Sequence, residues 1–195
     1  MDTFIQQIIN GLVLGSIYAL VALGYTMVYG ILGLINFAHG EVVMIGALTA
    51  LTVIKLLADS GLPGTVVVLI GLLAAIPVCM ALGFTIERIA YRPLRNAPRL
   101  APLITAIGVS IVLQQLAMIF WGRNCHAFPP ILPTSGREIG GAHITDVQIV
   151  IILLAVAIMA GLMLLVNRSR LGRAMRATAE NPQIAGLMGV NINVI

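Results

Sequence analysis

The stretch from Thr65 to Ile86, TVVVLIGLLAAIPVCMALGFTI, runs for 22 residues without a charged side chain, and its reading decides the fold. About twenty residues at 1.5 Å rise cross a hydrocarbon layer of roughly 30 Å, so this run is long enough to span a bilayer. Asp59-Ser60-Gly61-Leu62-Pro63-Gly64 precedes it as a turn outside the apolar layer, and Glu87-Arg88 closes it. The whole chain has the matching composition. Of its 195 residues 59% are hydrophobic and 9% charged, where a soluble domain carries roughly 25% charged residues. A water-facing surface cannot be built from that, and a chain of this size cannot hide its apolar side chains in one core.

Working outward, the charge-free runs predict an all-α polytopic membrane helix bundle of about five transmembrane helices. Between Asp2 and Glu41 lie 38 residues without Asp, Glu, Lys or Arg, and a first span is placed near 12–34. A second follows near 42–57, with Lys55 close enough to its end to snorkel. The third is 65–86. Tyr91 to Ala101, with Pro93 and Pro98, is read as a loop that cannot continue the helix. The fourth span is 103–121, ending on the interfacial aromatic Trp121. Gly122 to Asp146, rich in Pro, Gly and charges of both signs, is expected to be a structured extramembrane loop, and the fifth span is 147–166. The bundle is thus residues 1–166, followed by a polar segment, 167–195.

Orientation comes from the basic residues. Eight of the eleven fall in two windows, Arg88, Arg92, Arg95, Arg99 and Arg168, Arg170, Arg173, Arg176. Two spans separate them, so both lie on one side, the cytoplasmic one by the positive-inside rule; the N-terminus and the 122–146 loop fall outside. A re-entrant segment within the first 57 residues would reverse the N-terminal placement alone. The net charge of +4 is therefore topological. Nucleic acid is excluded as a partner, since its binding calls for one continuous basic face. Cys79 and Cys125 fall in an apolar run and a polar loop, with no metal-binding or redox spacing. No basic residue precedes the first apolar stretch, so it lacks the n-region of a signal peptide and is expected to stay.

Few residues can carry chemistry. The chain holds seven carboxylates, three histidines and one lysine. His39-Gly40-Glu41 matches the H-x-E of zinc deaminases but lacks their P-C-x-x-C, and no H-E-x-x-H is present. No catalytic residue, metal site or cofactor is expected. Asn36-Phe37-Ala38-His39-Gly40-Glu41 interrupts two apolar runs. It reads either as a tight cytoplasmic turn or as a break exposing polar groups along a translocation path, with Asn36, His39, Gly40 and Glu41 as path residues. Gly11, Gly15 and Ala19 are four apart and form a candidate helix-packing or subunit-packing stripe. No G-x-x-x-x-G-K-[ST] loop is present, so any ATP hydrolysis belongs to other subunits. Sparse intramembrane charge argues against a proton-coupled mechanism.

The polar segment is the most informative. Arg168 to Glu180 is basic and alanine-rich and should be helical. Asn181-Pro182 supplies a cap and a first-turn proline, and Gly189 a stop. Ile184, Leu187 and Met188 between them stand at i, i+3 and i+4, giving a short helix with one apolar face that either docks on a partner or lies on lipid headgroups.

Asn36-Phe37-Ala38-His39-Gly40-Glu41, Glu87-Arg88, Tyr91-Arg92-Pro93-Leu94-Arg95 and Leu171-Gly172-Arg173-Ala174-Met175-Arg176-Ala177 through Gly189 together resemble the LivH-type permeases of bacterial branched-chain amino acid ABC importers, over essentially the whole chain. That resemblance implies a multi-pass subunit of the bacterial inner membrane. Its implied partners are a second related permease, two cytoplasmic ATP-binding subunits and a periplasmic substrate-binding protein. It marks Ala177, Ala179, Glu180, Pro182, Ile184, Ala185, Leu187, Met188 and Gly189 as the segment that enters a groove of the ATPase. Urea and short-amide permeases of the same family look much alike, and a stand-alone channel or secondary transporter is the alternative of another class. Such permeases carry further spans beyond this segment. Asn191 to Ile195 reads as the approach to one, so the chain is expected to be a truncated form.

Overall fold

The structure, a computed structural model, describes residues 2–33, 35–58, 60–94, 97–98, 100–124, 126–129, 136–139 and 142–191. The sequence readings that rest on Leu34, Asp59, Arg95, Arg99, Cys125 and residues 192–195 lie outside these. Seven α-helices and a short hairpin follow in order: α1 Asp2–Leu32, α2 His39–Leu57, α3 Gly64–Ile86, α4 Leu100–Trp121, β1 Gly136–Ile139, β2 Ala142–Thr145, α5 Asp146–Arg168, α6 Arg170–Glu180 and α7 Pro182–Leu187. Among the described residues five helices are long and apolar enough to cross a membrane, α1 to α5. Side chains such as Ile119 and Phe120, each 75% exposed, face the surroundings because those surroundings are lipid. The fold is that of an all-α polytopic membrane protein, with the hairpin its one extended element among the described residues. The helices fall into two compact units, residues 34–133 and residues 1–33 with 134–195.

In the first unit α2 and α3 form an antiparallel pair packed at glycine. A Cβ on Gly46 would stand 2.7 Å from the Cys79 sulfur, and one on Gly71 would stand 3.0 Å from Ile54 Cγ1. These glycines let the helix surfaces meet. α3 does not stop at Ile86. A π-helical turn over Glu87–Tyr91 and a 3-10 turn over Arg92–Leu94 carry the helical path to Leu94, which corrects the expectation of a loop from Tyr91. A proline ring strikes the carbonyl four residues back in an α-helix. In the wider turn, just ahead of Pro93, the Arg92 N–H bonds Glu87 O, five residues back.

In the second unit α1 starts at Asp2, ten residues before the expected 12, and is roughly 46 Å long at 1.5 Å per residue. Its first turns are polar but not helix-breaking, and they have partners. Gln6 exchanges two bonds with the His143 backbone, at 2.9 and 3.1 Å, and Asn10 Oδ1 accepts from Gln148 Nε2 at 3.3 Å. The N-terminal turns of α1 are thereby stitched to β2 and to the start of α5. Gln148 also reaches back to the Thr145 N–H at 3.1 Å, capping α5.

Candidate functional site

Two corners carry the residues singled out by sequence. The first lies between α1 and α2. Asn36 C=O accepts from the His39 N–H at 3.1 Å, while Asn36 Oδ1 accepts from the Ala38 N–H at 3.0 Å and from the Tyr91 hydroxyl at 2.7 Å. An asparagine side chain that mimics a backbone turn is the usual device for such a reversal. Ala38 is fully buried with Ile86 and Leu113, and Val42, Val109 and Tyr91 pack around them. Locally, then, the segment is a tight turn.

Its position along the helices is less ordinary. Glu41 Oε1 accepts from Ser110 Oγ at 2.9 Å and from Gln114 Nε2 at 2.7 Å, and the Trp121 indole N–H donates to Thr52 Oγ1 at 2.8 Å. Glu41–Ser110 and Thr52–Trp121 are both 69 residues apart in the chain, so α2 and α4 run parallel and in register. Leu100 to Val109 of α4 precede Ser110, roughly 15 Å of helix. Glu41 therefore stands about half-way along α4, and the turn before it lies within the length of that helix, not at its end. Between α2 and α4 opens a cleft of about 450 Å³ lined by Glu41, Met44, Leu48, Gln114, Met118 and Trp121, with Asn124 and His126 at the Trp121 end. Glu41 is the lining residue farthest from that end. His39 and Gly40, at the start of α2, are not among its walls. Among the described residues no three His, Cys, Asp or Glu side chains gather into a metal site.

Ser110 and Gln114 were not among the sequence candidates. Their signal is visible once sought, since they are polar residues one helical turn apart in an otherwise apolar span. The Gly11, Gly15 and Ala19 stripe, by contrast, makes no close approach within its unit. A Cβ at Gly11 or Gly15 would meet nothing within 4 Å.

The second corner is built where α5 ends. Ser169 breaks the helix, and its Oγ caps α6 by accepting from the Gly172 N–H at 2.9 Å. A Cβ on Gly172 would collide with the Val166 carbonyl oxygen, so only glycine lets α6 fold back this closely. Arg176 Nη1 donates to that same carbonyl, and Arg173 Nη1 to Arg168 O at 3.4 Å. Two arginines thus satisfy the orphan acceptors of α5, where a helix end favours positive charge. The basic window explains itself locally as well as topologically.

α7 follows. Asn181 Oδ1 accepts from the Gln183 and Ile184 N–H groups at 3.0 and 3.1 Å, with Pro182 in the first turn. Gly189 has φ +87°, and the Val190 N–H returns to Ala185 O at 3.1 Å, the left-handed stop that glycine favours. Leu187 is 88% exposed, Met188 81% and Ile184 57%, while Ala185 is 3% exposed. Ala185, expected among the coupling residues, is thus buried within its own chain. Ala177, Ala179, Glu180, Pro182 and Gly189 remain exposed.

Comparison with known proteins follows the same lines. The family described as "Branched-chain amino acid transport system / permease component" matches residues 7–195. The chain is 48% identical, over 98% of its length, to the high-affinity branched-chain amino acid transport system permease protein BraD of Pseudomonas aeruginosa. It is 45% identical, over 96% of its length, to the corresponding LivH protein of Escherichia coli. A probable LivH permease of Methanocaldococcus jannaschii is 27% identical over 96% of the chain. The chain spans 64%, 63% and 59% of the length of these relatives, in that order. No solved structure matches it.

Proposed function

We propose, since this chain belongs to the branched-chain amino acid transport permease family, that it serves as a membrane-spanning subunit of an ATP-driven importer for branched-chain or similar neutral amino acids. Its place is the bacterial inner membrane. There it pairs with a second related permease, two ATP-binding subunits on the cytoplasmic side and a periplasmic substrate-binding protein.

The observation that carries this reading is α7. A capped helix that leaves Leu187, Met188 and Ile184 exposed, beyond an arginine-rich helix end, is suited to insertion into an apolar groove. The long polar and basic α6 then acts as a lever between the groove and α5. ATP-driven closure of the ATPase pair shifts α7 and, through the Gly172 corner, the spans, favouring one access state over the other. The Asn36 to Glu41 corner and the cleft beside it form part of the translocation path. The open Gly11 and Gly15 face of α1 is left for a neighbouring helix of the partner permease or for lipid.

The test is co-purification with the ATP-binding subunits. Leu187→Asp places a charge in the centre of the docking face and is expected to weaken the complex roughly thirtyfold or more, while the permease itself elutes unchanged. Undiminished assembly removes α7 as the docking element. Absence of ATP-dependent leucine uptake by the complete assembly removes the importer reading itself.

A further inference from the structure

We propose that Glu41 is the amine-binding group of an amino-acid site in the α2–α4 cleft, an inference that rests on the importer reading given above. A carboxylate at half the length of an apolar span is expensive unless hydrogen bonds or a cation compensate it. Here the compensation is one-sided. Oε1 accepts from both Ser110 and Gln114, whereas Oε2 accepts nothing from the described residues, and among the described residues that line the cleft Glu41 is the only carboxylate. The two donors fix the carboxylate by one oxygen, and the other is the one an ammonium group would take.

The surroundings suit the rest of the ligand. Met44, Leu48 and Met118 supply apolar, deformable walls for an aliphatic side chain. A volume of about 450 Å³ lies in the range of small-molecule sites, roughly 300–1,000 Å³. Beyond Glu41 the chain closes. Ala38, Ile86 and Leu113 are buried together and Tyr91 is bonded to Asn36, so a ligand entering from the Trp121 end stops at the carboxylate. The chemical class selected is a primary ammonium carried next to a branched aliphatic group.

The decisive variant is Glu41→Gln, which keeps an acceptor oxygen for Ser110 and Gln114 while it removes the charge and turns the second oxygen into an amide donor. In the complete transporter, reconstituted with its ATP-binding and substrate-binding subunits, leucine uptake is expected to fall roughly thirtyfold or more, as when one partner of a hydrogen-bonded charge pair is removed. The yield of assembled complex should hold, and Glu41→Asp should restore part of the rate. Uptake at the wild-type rate in Glu41→Gln overturns the proposal. A purely structural tie predicts the reverse pattern, with Glu41→Gln tolerated and the Ser110→Ala, Gln114→Leu double variant damaging; that result also overturns it.

A second measurement needs no loss of function. In transporter without its binding protein, carrying Cys79→Ala, Cys125→Ser and Met118→Cys, alkylation of the new thiol should be slowed by 3-methylbutylamine and not by 4-methylpentanoate, which lacks the amine. Equal protection by both, or by neither, counts against Glu41. A wild-type assembly without ATP-dependent uptake overturns the importer reading and the site with it. Normal uptake with an indifferent Glu41→Gln removes the site alone.

Discussion

The two corners of this chain use the same residue for opposite ends. At both, an asparagine Oδ1 accepts backbone N–H groups just ahead of a helix, from Ala38 at the first and from Gln183 and Ile184 at the second. Asn36 Oδ1 then takes a second group, the Tyr91 hydroxyl, and the turn is locked against α3 over a fully buried Ala38. The Asn181 side chain takes nothing further among the described residues, and its helix turns large apolar side chains outward. The local device is an asparagine side chain bonded to backbone N–H groups, a turn ahead of α2 and a helix cap on α7. What differs is whether the surroundings come from the same chain, and that difference separates a turn packed into its own chain from a helix whose large apolar side chains stay exposed.

The comparison can be broken at its scaffold first. Gly172→Val drives a side chain into the Val166 carbonyl and is expected to destabilise the second corner by about 3 kcal/mol, seen as a lowered yield of folded protein on detergent size-exclusion chromatography. Yield at the wild-type level would mean that α6 can leave α5 without cost. Asn36→Ala removes the bond from the Tyr91 hydroxyl to Oδ1 and should cost about 1–2 kcal/mol, read as a lower Tm for the permease and slower transport. Asn181→Ala should cost α7 about 1 kcal/mol of helix stability. Its effect belongs in ATPase affinity, roughly fivefold, with the permease Tm unmoved. If Asn181→Ala lowers Tm as much as Asn36→Ala does, the contrast between a locked and a waiting corner fails. The smallest effect is expected from Gly15→Ala, close to zero on Tm, because nothing stands within 4 Å of the added methyl; a large loss would show that the face is occupied by a neighbour.

Much of the fold was legible because lipid imposes a simple rule. Uncharged runs of sufficient length become helices, and the helix bounds near Leu57, Ile86 and Trp121 follow from where those runs stop. The rule misplaced the start of α1, because Gln6 and Asn10 are polar without breaking a helix and find partners in β2 and α5 that no local pattern announces. It also misread Pro93, where a change of helical winding absorbs the ring. The α7 corner was legible to the residue, since Asn181, Pro182 and Gly189 are local signals acting locally. Glu41 was visible but its partners were not. Ser110 and Gln114 lie 69 and 73 residues away, and only the parallel register of α2 and α4 brings them to it. Among the membrane spans the close glycine contacts are made at Gly46 and Gly71, whereas Gly11 and Gly15 of α1 keep an open face.

That parallel register has a mechanical side. α2 and α4 are joined at Glu41 and again at Thr52, about three helical turns or roughly 16 Å apart. One fastening would leave a pivot. Two oppose both rotation and sliding, so the pair is braced like a beam, and bending falls more easily elsewhere in the chain.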